Sequence, residues 1–550
     1  MVPFDIILVL PYSFSDHPSF PEALLKRALE REGFRVGVLE RPFWQQASSF
    51  TVLGRPKLCF AIISGPLDSL VLNYTASGKR RREDLYQADG SVFFPNTPAS
   101  VSSRIRPDRT VVVFGQKLKE AFPGVTVVVG GIEASLRLFT HYDFVTRGLK
   151  GSVLLDSRAD IAVWGMGERT FLEVARLLSK GAGREEIIVR VEGTAGVVSH
   201  SPEGEDTVLL PSHEELMAEP ALLLRLTQEA ERAAKEGKTA VQPVRNRWIL
   251  RRPPIQERRE ELDRWYSEPY SRNHPSFPNI SQALGMCLFS VTTHRGCGGG
   301  CSFCSILGHQ GKGIVSRSLE GILREVASMT QHPRWKGVIC DVGGASAEMY
   351  GADCQASKGC SRRSCLFPER CGNFTDGTPY LALLRTVRRA AGVKKVFVGS
   401  GLRYDLLLAN PELLEEILLH HSGEFLRVAP EHTSTQVLSL MGKPSVGSFE
   451  SFVKLFGEIS RGMKRKIRLL PYLMVGHPGE REEDVDKMAR LMKGWKIPTT
   501  DVQIFTPTPG TLSTALYVAG YDKEGRVVPV ERDIKRLERR KERLTSLSRG

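Results

Sequence analysis

Along the first 180 residues, short apolar runs alternate with stretches whose apolar positions recur every three or four residues. The runs at 4–10, 35–39, 58–64, 125–129 and 160–164 read as buried strands. "PEALLKRALEREG" (21–33, closed by Gly33) and residues 168–180 carry helical periodicity. Strands alternating with helices predict a parallel, doubly wound sheet with ligands at the strand C-termini. Glycines stand where such a sheet would turn: Gly130 and Gly131 in "VVVGGIEASLR", Gly165 and Gly167 in "IAVWGMGERT". Each fits an ordinary strand-end turn as well as a backbone approach to a ligand.

Over 202–285 the pattern changes. A charged helical stretch, "LTQEAERAAKEGK", leads into "RRPPIQERREELDRWYSEPYSRNHPSFPN", rich in Pro, Arg and aromatics, which reads as a connector. After residue 286 the alternation resumes, with strands expected near 289–293, 337–341, 395–399, 425–429, 468–475 and 501–505. Six such units fit an open or partial (β/α) barrel whose chemistry sits at the C-terminal strand ends. The chain thus divides into an α/β domain (1–201), a connector (202–285), a barrel (286–522) and a basic helical tail (523–550). A thin Ile534, Leu537 and Leu544 stripe suits the tail to surface packing, with RNA contact as the sharper alternative.

Composition narrows the setting. The 76 basic and 62 acidic residues leave a net charge of +14, which favours polyanions such as nucleic acid and says nothing about the fold. The N-terminus "MVPFDIILVL" lacks a basic leader and is interrupted by Asp5, so it reads as a first strand rather than a signal peptide. No apolar stretch is long enough to span a bilayer, and the expectation is a cytoplasmic protein with no membrane partner. Ten cysteines in a reducing compartment point to metal binding or redox chemistry rather than disulfides.

Three of those cysteines fall within eight positions, in "HRGCGGGCSFCSI" directly after the first barrel strand. Cys297, Cys301 and Cys304 fit a disulfide fragment, a zinc half-site or a cluster cradle with one ligand missing. Closed zinc and iron–sulfur sites take four protein ligands, so a set of three leaves one iron of a [4Fe–4S] cluster open. Gly296 and Gly298–Gly300 suit a backbone that curls around a cluster and aims N–H groups at its sulfurs.

The x3–x2 spacing, with Phe303 before the last cysteine, resembles the signature of radical S-adenosylmethionine (SAM) enzymes. That resemblance implies two cofactors: a [4Fe–4S] cluster on the three cysteines and SAM chelated at the open iron. It further implies SAM contacts from Phe303, from Gly343 and Gly344 in "CDVGGASAEMYG", from Ser400 and Arg403 in "VGSGLRYD", and from Val475 and Gly476 in "LLPYLMVGHPGE". Ala345 stands where an acidic residue is common, a departure from the pattern. More narrowly, "DHPSFP", "NYTASGKRRREDLY", "GGIEASLRLFTHYD", "RVAPEHT" and "TPTPGT", in this order, resemble the YgiQ-type radical SAM proteins over about residues 4 to 522. The implied architecture is a doubly wound, cobalamin-binding-like sheet followed by a partial (β/α)6 radical SAM barrel. Much of the long C-terminal extension that many relatives carry is expected to be missing. The implied partners are a reductant such as a flavodoxin or ferredoxin, and RNA as one substrate class.

Other residues carry their own chemistry. Cys354, Cys360, Cys365 and Cys371, in an insertion over 352–373, form a four-thiol set for zinc or a second cluster. Cys59, Cys287 and Cys340 read as small apolar residues. Glu431 and His432 place two titratable groups at a strand end, suited to proton handling, and with Arg403 make Glu431 a catalytic candidate. His17 follows the first strand, but without the spacing of a cobalt ligand. Gly442 and Lys443 do not make a phosphate loop, since the upstream glycine and the following Ser/Thr are absent. The rival reading is a non-catalytic, metal-stabilised nucleic-acid-binding protein.

Overall fold

The computed structural model describes residues 3–200, 204–352, 354 and 360–546. They form two compact units: Met1–Glu257 with Glu268–Leu288 and Thr508–Gly510, and Arg258–Ser267 with Phe289–Pro507 and Thr511–Gly550.

The first unit is built on a nine-stranded sheet. Its order is Val36–Glu40, Ile6–Leu10, Cys59–Ile63, Val127–Gly130, Ile161–Val163, Thr194–Val198, Arg247–Arg251, Thr239–Val244, Thr207–Leu209. The first five strands are parallel, with Ile6 opposite both Val36 and Cys59. Every residue of Ile6–Leu10 is buried, on both faces of the sheet, so the strand reads as a continuous apolar run rather than an alternation. Beyond Ile161–Val163 the pairing turns antiparallel for three pairs, and the edge strand Thr207–Leu209 then joins Thr239–Val244 in parallel. The stretch 202–285 is therefore not only a connector: through Arg251 it supplies three strands of this same sheet.

In the second unit, parallel pairs follow the chain: Ser290–Thr292 with Asp341–Gly343, Val338–Ile339 with Lys395–Val396, then Phe425–Glu431, Arg468–Val475 and Val502–Ile504. Helices such as Leu319–Thr330, Thr378–Arg388, Val446–Arg461 and Glu482–Gly494 return the chain between strands, as a partial (β/α) barrel requires. Two flanking pieces belong to this unit. Helix Arg259–Tyr266, from the expected connector, lays Trp265 and Tyr266 under the Arg295 guanidinium at 5.8 and 5.5 Å. Helix Ile534–Ser546, from the expected tail, buries Leu537 and Leu544. Its Arg540 reaches Glu480 and Glu482, each at 2.8 Å. Among the described residues no helix is long and apolar enough to cross a membrane.

Candidate functional site

The loop that carries Cys297, Cys301 and Cys304 leaves strand Ser290–Thr292 and is tied down along its length. His294 and Arg295 pair antiparallel with Val315 and Ser316. The Cys297 N–H donates to Gly311 O at 3.2 Å, and the Gly296 N–H to Gln310 Oε1 at 3.1 Å. Farther on, the Ser302 N–H donates to Met441 O at 2.9 Å and its hydroxyl to Leu440 O at 2.7 Å.

Each glycine of this loop answers to a different neighbour. Gly296 has φ +86°, and a Cβ there would stand 1.9 Å from Gly313 O. At Gly298 a Cβ would meet the Phe374 ring at 2.6 Å and Cys365 Cβ at 3.3 Å. At Gly300 (φ +61°) it would meet Arg363 O at 2.7 Å. Only Gly299 faces the thiols: a Cβ would lie 3.3 Å from Cys297 Sγ, 3.8 Å from Cys301 Sγ and 3.0 Å from Arg403 Nη1. One glycine keeps the cradle open, and two others let the cysteine-rich insertion lie against the loop.

Electrostatics set the thiols apart. Burial, and then the neighbouring Cys301, push the Cys297 thiol up to about 11 and that of Cys304 up to about 12. The Gly299 N–H, Arg403 and Lys443 act in the opposite sense on Cys297, as do the Ile306 N–H and Lys443 on Cys304. Such thiols ionise when a metal takes the proton's place, and the two cations offset the resulting charge. Arg403 is buried, lies 3.7 Å from Cys301 Sγ and is paired with Asp405 at 2.8 Å. Lys443 is nearly buried; its ammonium donates to Ala429 O at 2.8 Å, sits 3.5 Å from Glu431 Oε1 and 5.9 Å from the Phe303 ring centre. Glu431 adopts φ +68°, rare for a residue with a side chain, at the bulged end of strand Phe425–Glu431. Beneath Arg403, buried Glu348 accepts the Arg403 N–H, and burial pushes its carboxyl up to about 7.

The structure thus gathers Cys297, Cys301, Cys304, Phe303, Arg403 and Glu431 around one loop. It adds Lys443, Asp405 and Glu348, which sequence reasoning passed over: Lys443 was weighed only as half of a phosphate loop, and Glu348 belongs to no pattern. The remaining residues lie in the same unit with partners of their own. Ser400 Oγ donates to Asp341 Oδ2 at 2.6 Å. Gly344 is glycine because a Cβ would stand 2.6 Å from the His294 ring, and at Gly343 one would meet Ala347 Cβ at 3.0 Å. Val475 is fully buried, and a Cβ at Gly476 would sit 2.5 Å from Leu537 Cδ2, so Gly476 offers a ligand only its backbone. His432 turns away from Glu431 to Glu480, at 3.1 Å.

The insertion expected over 352–373 includes residues 353 and 355–359, which lie outside the described residues; its four cysteines do not. Among the described residues no group of three or more His, Cys, Asp or Glu side chains stands as it would around a bound metal ion.

At the strand ends of the first unit, His17 is fully buried with both ring nitrogens engaged. The Ser19 N–H donates to Nδ1 at 3.0 Å, and Nε2 lies 3.2 Å from Leu288 O and 2.8 Å from Arg272 Nη1. Between the first and third strands, the switch point of such a sheet, Tyr12 donates to Glu22 Oε2 at 2.8 Å and carries the Arg106 guanidinium at 5.4 Å over its ring. Burial pushes Glu22 up to about 8. A Cβ at Gly65 would strike the Tyr12 ring at 2.7 Å. Side chains of the unit itself fill this edge.

Comparison with known proteins agrees with the architecture. A family model described as "Radical SAM N-terminal" matches residues 2–290. A UPF0313 protein of Clostridium botulinum is 39% identical over 97% of this chain and 83% of its own length. One from Geobacter sulfurreducens is 42% identical over 94% and 85%. In fold, the chain resembles the radical SAM methyltransferase TsrM of Kitasatospora setae, solved with tryptophan and a SAM analogue, at TM-score 0.53 and 14% identity over 98% of this chain and 88% of that one. A second TsrM structure, with cobalamin and a [4Fe–4S] cluster bound, matches equally at TM-score 0.53. By the extent and identity of these matches, the chain belongs to the UPF0313 family, the YgiQ-type radical SAM proteins, and is a radical SAM enzyme.

Proposed function

We propose that Cys297, Cys301 and Cys304 hold a [4Fe–4S] cluster, with SAM at the iron that lacks a protein ligand. The single observation that carries this reading is the cradle at Gly299: a space one Cβ would fill, bounded by two thiols and a buried guanidinium. Such a cluster would supply the electron for reductive cleavage of the carbon–sulfur bond of SAM, which gives methionine and a 5′-deoxyadenosyl radical. The chain's own residues do the rest. The Gly299 and Ile306 N–H groups stabilise thiolate charge, while Arg403 and Lys443 balance it. Asp405 fixes the Arg403 fork, and Glu431, held by Lys443 at a strained strand end, is the group placed to receive or donate a proton.

Family membership displaces the non-catalytic nucleic-acid-binding alternative. RNA stays as the substrate class to be examined first, on the net charge of +14 alone, because Arg540 and Arg543 of the basic tail pair with Glu480, Glu482 and Asp486. A low-potential flavodoxin or ferredoxin is the reductant of choice. The test is anaerobic reconstitution followed by measurement of 5′-deoxyadenosine formed from SAM under reduction. The wild-type chain should turn brown and form the product, and Cys301→Ser should lose it. Full cleavage activity in that variant would refute the ligand set.

A further inference from the structure

Ser302 stands between Cys301 and Phe303 in the cysteine loop, buried and with every polar atom engaged. Its N–H donates to Met441 O at 2.9 Å, and its carbonyl accepts the Ser513 N–H at 2.9 Å. Its Oγ lies 2.7 Å from Leu440 O and 2.7 Å from Ser513 Oγ, which in turn lies 2.7 Å from His477 Nε2. The other ring nitrogen, His477 Nδ1, is 2.8 Å from Pro478 O. Ser513 and His477 are buried as well, so the chain from Leu440 O to Pro478 O runs through the interior of the second unit.

The direction of each bond follows from what each atom can give. A carbonyl only accepts, so the short contact to Pro478 O places the imidazole proton on Nδ1. Burial keeps the ring neutral, with its pKa pushed down to about 3. Nε2 is then an acceptor, the Ser513 hydroxyl donates to it, and Ser513 Oγ is left to accept from Ser302. The one hydroxyl proton of Ser302 has two acceptors, Leu440 O and Ser513 Oγ. Three protons thus join four elements: the cysteine loop, the end of helix Thr435–Met441, the start of helix Leu512–Ala519 and the turn after strand Arg468–Val475. The His477 ring adds an edge-on contact to Phe303 at 6.2 Å, and one to Phe505, just beyond strand Val502–Ile504, at 5.3 Å.

We propose that Ser302, Ser513 and His477 form a clasp that positions the Cys301–Cys304 turn against the ends of the barrel strands. The three act through the cysteines and Phe303 and so are positioning residues. This role rests on the reading of the three cysteines as cluster ligands. SAM at the open iron must also meet the rest of the site, so a turn free to shift would carry the iron out of register with those contacts. A displacement of about 1 Å is enough to lower a rate on the order of 100-fold. The buried chain resists it, because moving Ser302 breaks bonds to two helices and a strand end together.

The experiment compares Ser302→Ala, Ser513→Ala and the double variant with the wild-type full chain by two readouts. In the anaerobically reconstituted chain, each single variant should keep the wild-type iron content while the KM for SAM in 5′-deoxyadenosine formation rises about tenfold. The double variant should be little worse than either single one, since both changes remove the same link. A role confined to stability would instead lower iron content and kcat and leave KM in place; that result, or simply additive effects on KM, would overturn the proposal. The second readout needs no iron: amide hydrogen exchange of the unloaded chain. Either single variant should speed exchange across residues 299–305, while strand Ile6–Leu10 of the first unit exchanges as in the wild type. Unchanged exchange across 299–305 would overturn the clasp whatever the iron content. If the wild-type chain takes up no iron, the cluster reading falls, and the exchange result still decides whether the clasp holds the loop.

Discussion

Single residues in the cysteine loop separate two jobs that the sequence merges into one glycine-rich string. Gly296 and Gly300 hold left-handed backbone, Gly298 yields to Phe374, and Gly299 alone borders the thiols. Gly299→Ala should therefore push Cβ against Arg403 and Cys297 and lower iron incorporation severalfold, with the fold intact by circular dichroism. Gly313→Ala is the control, since a Cβ there meets nothing within 4 Å and the backbone is not left-handed. If both variants load iron like the wild type, the cradle is not where its geometry puts it. The three cysteines and Phe303 were legible because their spacing is a local signal. Lys443 was not: it comes 139 positions after Cys304 (443 − 304), and only the return of strand Phe425–Glu431 brings it to Phe303. Glu348 was illegible for the same reason, being assigned by a contact to Arg403 rather than by a motif.

Elements were legible in proportion to how completely they are buried. Ile6–Leu10 and Cys59–Ile63 read as strands because both faces are covered and every position is apolar. Thr239–Val244 and Arg247–Arg251 escaped notice because they form an antiparallel hairpin containing Pro243 and ending in arginines, so the pattern resembled a polar linker. The tail shows the opposite case. Its stripe of three apolar residues was read correctly as a packing face, but the sequence could not show what it packs on. Leu537 covers Gly476, Leu544 is fully buried, and Arg540 bridges Glu480 and Glu482. This helix is a structural member of the barrel unit, and Leu537→Ala should destabilise that unit by about 2–4 kcal/mol in denaturant unfolding. A change below ~0.5 kcal/mol would mean the helix is peripheral to the barrel.

At the scale of the whole molecule, a shared fold and a shared cofactor come apart. The chain follows the TsrM fold over 98% of its length, and one TsrM structure carries cobalamin. A corrin with a histidine ligand needs an imidazole nitrogen free to face cobalt, and a gap at the switch point of the sheet. Here His17 has Ser19 on one nitrogen and Leu288 and Arg272 at the other. Burial, followed by the Arg272 charge, holds His17 well below its ordinary pKa, so the ring stays neutral and locked in this network. The gap is taken by Tyr12, Glu22 and the Arg106–Asp84 pair, whose nitrogen and oxygen stand 2.9 Å apart. Opening it would leave buried charges without partners, which costs several kcal/mol each. The first unit should therefore take up no histidine-ligated cobalamin. Titration of the full chain with hydroxocobalamin, read by the visible spectrum after desalting, should leave the protein colourless in the corrin bands. His17→Ala should change its stability without changing that result. A stoichiometric corrin spectrum that His17→Ala abolishes would show that the network opens, and that this edge of the sheet is a cofactor site after all.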